Sequence, residues 1–384
     1  MPAVYDLPDN FDSYDRFLEV VRNLDFTSTP GYPYCREKPT IGEWLEFDGF
    51  ARFDDYKLQR LWHDVQSFLA GDIDPIYKAF IKQEAHKRVK AEQERWRIII
   101  CFPLNVQVAW HMFFGYGNKA MLQASYDIPA QFGFQLTRGN WKLYYRQWKS
   151  KGLNAGTDIS AYDFGVTWRK IKDIVLPLRV RLTRGRRKDE WQRGALRLYE
   201  KAYCDTKVLM PGGELVAIQV HGAEKSGSPN TISDNSILRF HQAVHVNLML
   251  GIPVYPLGSY VGDDALEHIP SDVREEAYVD AYRRLGWVMK QVDSGLEFVG
   301  HRFTPEGPQP LYVGKHLWNF VYCEPDIVPA YLDSMCRLYV HSPHYWVWEA
   351  LAEQMGVRVL SRDYYKVWYD SENAEFYEHS RGVY

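Results

Sequence analysis

Nowhere in the 384 residues is there the run of ~20 apolar side chains that a membrane-crossing helix needs. Cysteine is scarce. The five, at positions 35, 101, 204, 323 and 336, are odd in number, scattered and without a C-x-x-C pair, so reduced thiols in a cytosol are expected rather than disulfides or zinc ligands. No internal repeat or low-complexity linker interrupts the chain. There is no G-x-x-x-x-G-K-[ST] loop, G-x-S-x-G or H-E-x-x-H, which removes the commonest signatures of P-loop NTPases, serine hydrolases and zinc proteases. The first fifteen residues are acidic and polar, so no secretory signal is expected. Excess charge is missing as well: the net value is -3, against the overall basic balance usual in nucleic-acid binders.

What is present is a globular composition, 46% hydrophobic, 15% aromatic and 25% charged. It can bury a large core, and the length permits two or three domains. Local charge matters more than the sum. Lys82, Lys87, Arg88, Lys90, Arg95 and Arg97 form one basic cluster, followed at once by the apolar run Ile98 to Phe102, which should anchor it as a strand. Arg179, Arg181, Arg184, Arg186, Arg187 and Lys188 form a second, for which a solvated face is the competing reading.

Apolar spacing predicts helices over 41–47, 54–70, 106–122, 166–181 (interrupted at Pro177), 190–201 and 228–249. Ser28 to Pro33 is too rich in Pro and Gly for either regular structure and reads as a rigid loop. Leu153 to Ile159 is a short strand ending in acid. Pro211-Gly212-Gly213 marks a hairpin, and Gly262-Asp263-Asp264 sits at the turn of another, between 254–261 and 265–269. A helix from 271 to 285 is expected with Ser271 as N-cap and Gly286 as its stop. Strands follow at 287–292 and 296–303. Pro305, Pro308 and Pro310 read as a boundary before a mostly helical end. The mixture is α+β.

Three signals fall in one order: Asp158 to Asp163, then Ser226-Gly227 with Thr231 and Asn235 at four-residue steps, then Gly262-Asp263-Asp264. Nucleotidyl transfer needs two Mg2+ about 4 Å apart, and Mg2+ takes a few carboxylates with substrate and water completing its shell. Asp158 at a strand end and Asp263 at a hairpin turn would supply them if their strands are neighbours, with Asp264 in support. An ordinary polar turn is the competing reading of the Gly-Asp pair. Asp163 is placed to accept from a ribose 2′-OH, a hydroxyl Asn235 could share. Thr231 and Asn235 share a helix face, or form only a polar stripe. Ser226 and Gly227 offer a backbone that can approach a nucleotide closely. Lys82, Arg95 and Arg97 are candidates for gripping a triphosphate, with Glu84 to hold one of them in place. Lys290 is a candidate proton donor to pyrophosphate, or a surface lysine.

On these residues the chain resembles viral RNA-dependent RNA polymerases, most closely the sobemovirus and polerovirus group. Asp158 to Asp163 looks like motif A, Lys225 to Asn235 like motif B and Gly262 to Glu267 like motif C. Leu285 to Lys290 resembles motif D, Glu297 to Phe303 motif E (with Val299-Gly300 in place of Cys-Ser), Lys82 to Arg97 motif F and Ser28 to Tyr34 motif G. The resemblance implies a closed right hand: fingers and fingertips over 1–150, a palm with an antiparallel sheet over 151–303 (a finger hairpin inserted near 203–222), and a thumb over 304–384. It implies two Mg2+, with Mn2+ as an alternative, held by Asp158, Asp263 and Asp264. It also implies NTPs, an RNA template and nascent RNA as partners, with Thr29, Pro30, Gly31, Lys87 and Lys90 along the template. In some relatives a genome-linked protein is the primer. The setting implied is host cytoplasm, at replication complexes, for a positive-strand RNA virus. A reverse transcriptase would be expected to carry an aromatic at position 163. A catalytically inactive RNA binder would gain nothing from acids gathered beside phosphate.

Overall fold

The computed structural model describes residues 2–84, 86 and 88–371. It divides into two compact units, Met1–Lys82 with Lys90–Phe132 and Ala161–His241, and Gln83–Val89 with Gly133–Ser160 and Gln242–Tyr384. Compactness therefore groups the chain differently from a linear division at 150 and 303.

Strands are numbered along the chain. In the first unit, β1 (Tyr5–Asp6) pairs with β5 (Thr183–Arg184), and β2 (Ile76–Ile81), β3 (Ile98–Cys101), β6 (Lys207–Leu209) and β7 (Leu215–Ala217) form a sheet in the order β3-β2-β6-β7. Helices pack around it. Asp55–Ala70 starts where the Asp54 carboxylate accepts from the Lys57 amide and stops at Gly71, whose φ is +92°. Leu104–Gln123 is apolar on nearly all sides because it is enclosed on nearly all sides. Its Trp110 meets Phe114 at 5.0 Å and Tyr199, from the Lys188–Tyr203 helix, at 4.9 Å.

The second unit holds β4 (Ala155–Ile159), β8 (Ser259–Val261), β9 (Asp264–Glu267) and β10 (Met289–Ser294) in the order β10-β4-β9-β8, all antiparallel. A second sheet has β12 (His301–Thr304) between β11 (Glu297–Phe298) and β13 (Gly307–Pro310). Its core is aromatic. Fully buried Trp148 stands edge-on to Phe298 and Phe303 at 5.4 and 4.9 Å. Each such pair adds ~0.5–1.5 kcal/mol beyond burial. Tyr339 and Trp348, from the C-terminal helices, join the same cluster. Gly156 is required inside β4: a Cβ there would lie 2.2 Å from the Glu297 carbonyl oxygen, because β11 crosses this strand.

Three expectations need correction. The proline run after Thr304 is not irregular: Gly307–Pro310 is a strand, tolerated because β13 is an edge and Pro lacks only a donor that an edge can spare. Ser271 is not an N-cap. The helix begins after Arg274, with Glu275 and Glu276 in its first turn facing the helix dipole. The strand expected from Val254 is confined to Ser259–Val261. As expected for the 166–181 segment, the helical run from Trp168 to Leu182 is interrupted next to Pro177: Ile171–Val175 is a π-helical turn directly before it, between two α-helical stretches.

Motif E turns through Val299 and Gly300, at φ +47° and +69°. Two residues with positive φ suit a tight hairpin, although a β-branched side chain is strained there.

Candidate active site

In the second unit, three strands bring the acidic residues to one end of one sheet. Thr157 of β4 pairs with Ala265 of β9, so Asp158 and Asp264 are the next residues on either side of the ladder. Val261 pairs with Asp264, leaving Gly262-Asp263 as a two-residue hairpin tip, with Gly262 at φ +64°. On the other flank β10 bulges between Met289 and Gln291, and the residue at the bulge is Lys290. Its ammonium sits on the Asp158 carboxylate, 3.1 Å from Oδ1 and 2.8 Å from Oδ2.

Sequence reasoning missed Tyr312, which reports the local field. Burial pushes its phenol up, and the charges of Asp264, Asp158, Asp293 and Glu297 push it further. A cation is therefore favoured at this end of the sheet, and Lys290 marks one place where it is held. Among the described residues no group of three or more His, Cys, Asp or Glu side chains forms a ready metal cage. Two or three carboxylates suit Mg2+, which draws its remaining ligands from substrate and water.

The first unit holds the motif B residues and Asp163. Asn235 Nδ2 donates to Asp163 Oδ1 at 3.0 Å. Asn235 Oδ1 is buried and has no hydrogen-bond partner. Tyr162, buried beside Asp163, donates its hydroxyl to the Asn235 carbonyl at 3.2 Å, and the Glu224 amide donates to the Asp163 carbonyl at 2.8 Å.

The other motif B residues are held by their own loop and by β3. Gly227 makes a close approach, but to β3: its amide donates to Ile100 at 3.1 Å, and a Cβ would meet Cys101 Cα and the Ile100 oxygen at 2.8 Å. The Ser226 hydroxyl lies 3.5 Å from the Ile98 carbonyl. The Thr231 hydroxyl is 2.8 Å from the Lys225 carbonyl and 3.1 Å from that of Ser228, so it staples its own loop.

The basic segment hangs from the same sheet. The Lys82 amide donates to the Arg97 carbonyl at 2.9 Å, extending the β2–β3 ladder, and the Arg95 amide donates to Lys90 at 2.8 Å. Lys90, Arg95 and Arg97 are exposed, as phosphate-facing cations would need to be. Lys87 lies outside the described residues. Glu84, in the second unit, is 3.6 Å from Lys315. Thr29, Pro30 and Gly31 form a loop latched to the end of β3: Leu104 N donates to Pro30 at 2.9 Å, and a Cβ on Gly31 (φ +65°) would lie 2.4 Å from the Phe102 oxygen. In the second basic cluster, Arg187 holds Asp12 and Glu190, Arg186 holds Asp9, and Arg179 is buried on Asp234. Three of its six members thus serve ion pairs within the protein.

Glu224 is a further residue the sequence did not expose. It is buried, accepts from Tyr203 and lies 3.4 Å from the Thr231 hydroxyl. Burial, with the charge of Asp234 behind it, pushes its carboxyl from 4.5 up to about 8. The unfolded carboxyl ionises near 4.5 while the folded one keeps its proton to about 8, so stability should fall as pH rises across that window. Lys225, lowered to about 8 by burial, acts in the opposite direction only above that pH. Glu224→Gln should therefore show a flatter melting temperature between pH 5 and 8 than the parent; parallel profiles would place the proton elsewhere.

A family model described as viral RNA-dependent RNA polymerase matches residues 4–320. Turnip yellows virus Protein P1-P2 is 27% identical over 344 residues, 80% of this chain and 30% of the relative. The Mushroom bacilliform virus protein named RNA-directed RNA polymerase is 26% identical over 345 residues, 85% of this chain and 81% of the relative. The chain spans about a third or less of the first curated relatives it matches, at 30–31% of their length. The solved Sicinivirus 3Dpol RNA-dependent RNA polymerase superposes with a TM-score of 0.68 at 14% identity, covering 94% of this chain and 85% of that one, which shows the α+β right-hand polymerase fold. With that fold, and with the family match over most of its length, this chain belongs to the viral RNA-dependent RNA polymerases.

Proposed function

We propose that the chain carries out template-directed RNA synthesis from NTPs by two-metal nucleotidyl transfer, replicating a positive-strand RNA genome. The observation that carries this reading is the convergence of Asp158, Asp264 and the Asp263 tip at one end of the β10-β4-β9-β8 sheet, in a field that already holds an ammonium. Asp158, Asp263 and Asp264 would hold divalent metal, two Mg2+ or Mn2+ in their place, and the ions would supply charge stabilisation at the attacking and leaving oxygens.

The remaining steps fall to the chain's own residues. The Asp163 carboxylate or the open Oδ1 of its partner Asn235 accepts the single proton of the sugar 2′-hydroxyl, which would favour ribose. Lys82, Arg95 and Arg97 neutralise the triphosphate. Lys290 donates a proton to pyrophosphate after leaving its resting place on Asp158. That step is inexpensive, because the two side chains are 44% and 41% exposed and exposed pairs contribute only ~0–1 kcal/mol. Thr29, Pro30, Gly31, Lys87 and Lys90 line the template. We assign fingers, palm and thumb to 1–150, 151–303 and 304–384 by resemblance to the family. A genome-linked protein primer and a site of action at cytoplasmic replication complexes rest on the same resemblance.

The test is extension of a primed RNA by the purified chain, with Mg2+ and with EDTA; no Mg2+-dependent product would refute the proposal. Asp163→Ala should lower the preference for ribo- over deoxyribonucleotides by about tenfold or more, the size of one hydrogen bond to a charged acceptor. Unchanged discrimination would put the sugar contact elsewhere.

A further inference from the structure

Behind the Asp163–Asn235 pair, still in the first unit, five side chains close a ring. Arg179 Nε donates to Asp234 Oδ1 at 2.9 Å. Its Nη1 donates to Asn118 Oδ1 at 3.0 Å. Asn118 Nδ2 donates to Asn230 Oδ1 at 2.7 Å, and Asn230 Nδ2 to the Tyr199 hydroxyl at 3.1 Å. Tyr199 completes the circuit by donating to Asp234 Oδ2 at 2.8 Å. Ser233 is a spur: its hydroxyl accepts from Arg179 Nη2 at 2.7 Å and donates to the Asn230 carbonyl at 2.9 Å. Arg179, Tyr199, Asn230, Ser233 and Asp234 are all buried. Arg179 donates into both arms of the ring, and Asp234 accepts at the end of both.

The ring draws on three helices (Leu104–Gln123, Leu176–Leu182 and Lys188–Tyr203) and grips the start of a fourth, Thr231–Leu250. Successive helix residues are rotated by about 100°. Fixing Asn230, Ser233 and Asp234 inward therefore fixes the rotation of that helix, and with it the direction of Asn235. Tyr162 adds a second restraint at the Asn235 carbonyl. The part left open is Asn235 Oδ1, a buried acceptor without a partner. A buried acceptor is costly to leave unpaired unless a ligand completes it.

We propose that the Arg179–Asp234–Tyr199–Asn230–Asn118 ring positions Asn235 for sugar selection, so that residues touching no nucleotide set the preference for ribose. This rests on the reading of Asp163 and Asn235 as the sugar contact.

The test is single-nucleotide extension with matched ribo- and deoxyribonucleotides. Tyr199→Phe removes one hydroxyl at nearly constant volume, and Asn118→Ala opens the half-buried side of the ring if the first variant folds poorly. The expected result for either is a discrimination ratio lowered about tenfold, the cost of one misplaced hydrogen bond. It should appear as a raised KM for ribonucleotides with kcat little changed. Val65→Ala, a core truncation in the Asp55–Ala70 helix, should leave the ratio unaltered despite a comparable loss of stability. Ratios unchanged in both ring variants, or an equal fall in Val65→Ala, would overturn the inference. Asp163→Ala separates the two levels: if it lowers the ratio and the ring variants do not, only the ring's role fails. If it too has no effect, the sugar contact itself is misassigned and the inference falls with it.

Discussion

Asp263→Ala is expected to lose RNA synthesis by on the order of 10^3-fold or more, with little change in melting temperature. Stabilising charge on the reacting oxygens accounts for several kcal/mol of an in-line transfer, and each ~1.4 kcal/mol is a factor of ten in rate. Asp263 is at the tip of a two-residue hairpin whose register is set elsewhere, by Val261 against Asp264 and by Gly262 in its left-handed conformation. Removing a loop carboxylate away from the core changes stability by about 0.5 kcal/mol or less. The measurement is single-turnover extension alongside thermal melting. Retained synthesis would refute the metal assignment, and a collapse in melting temperature would show a structural role instead.

Arg179→Met should be the most destabilising of the substitutions considered. It strips a buried carboxylate of its charged partner. Burial pushes the Asp234 carboxyl up, and the guanidinium and the Tyr199 hydroxyl pull it back. Breaking one side of such a pair costs ~3–5 kcal/mol, a large fraction of the ~5–15 kcal/mol that holds a domain folded. Urea unfolding should show a midpoint far below that of the parent. The double variant Arg179→Met with Asp234→Leu should recover much of the loss, since no orphaned charge remains. If the double variant is no better than the single, packing rather than charge explains the position.

The elements that carry the candidate residues were legible because their signals are local. An apolar strand ending in Asp158, a Gly-Asp pair between two short strands and a long apolar helix after Ser226-Gly227 each declare themselves within about twenty residues. Gly286 as a helix stop was equally readable, and it adopts φ +82°. What escaped depends on partners far along the chain. Arg179 counts as one of six basic residues in a run, yet it is buried because Asp234 lies 55 positions away. Thr231 and Gly227 are chemically suited to a nucleotide, and only coordinates show that one is engaged by its own loop and the other by β3. The prolines after Thr304 misled because proline excludes a central strand but not an edge one. Lys290 was legible as a lysine near the acids, while its seat on Asp158 required the bulge in β10.

The short stretch from Ile100 to Leu104 touches both the Gly31 loop and the Gly227 loop, on backbone atoms and at distances that leave no space for a methyl group. Nearly two hundred residues separate those glycines, yet they abut a common joint and are not free to drift independently. Across related genomes, a change of side-chain size at either glycine should be inherited only together with a shift in the backbone of that joint, which makes it a point where the tempo of sequence divergence is set by geometry rather than by chemistry.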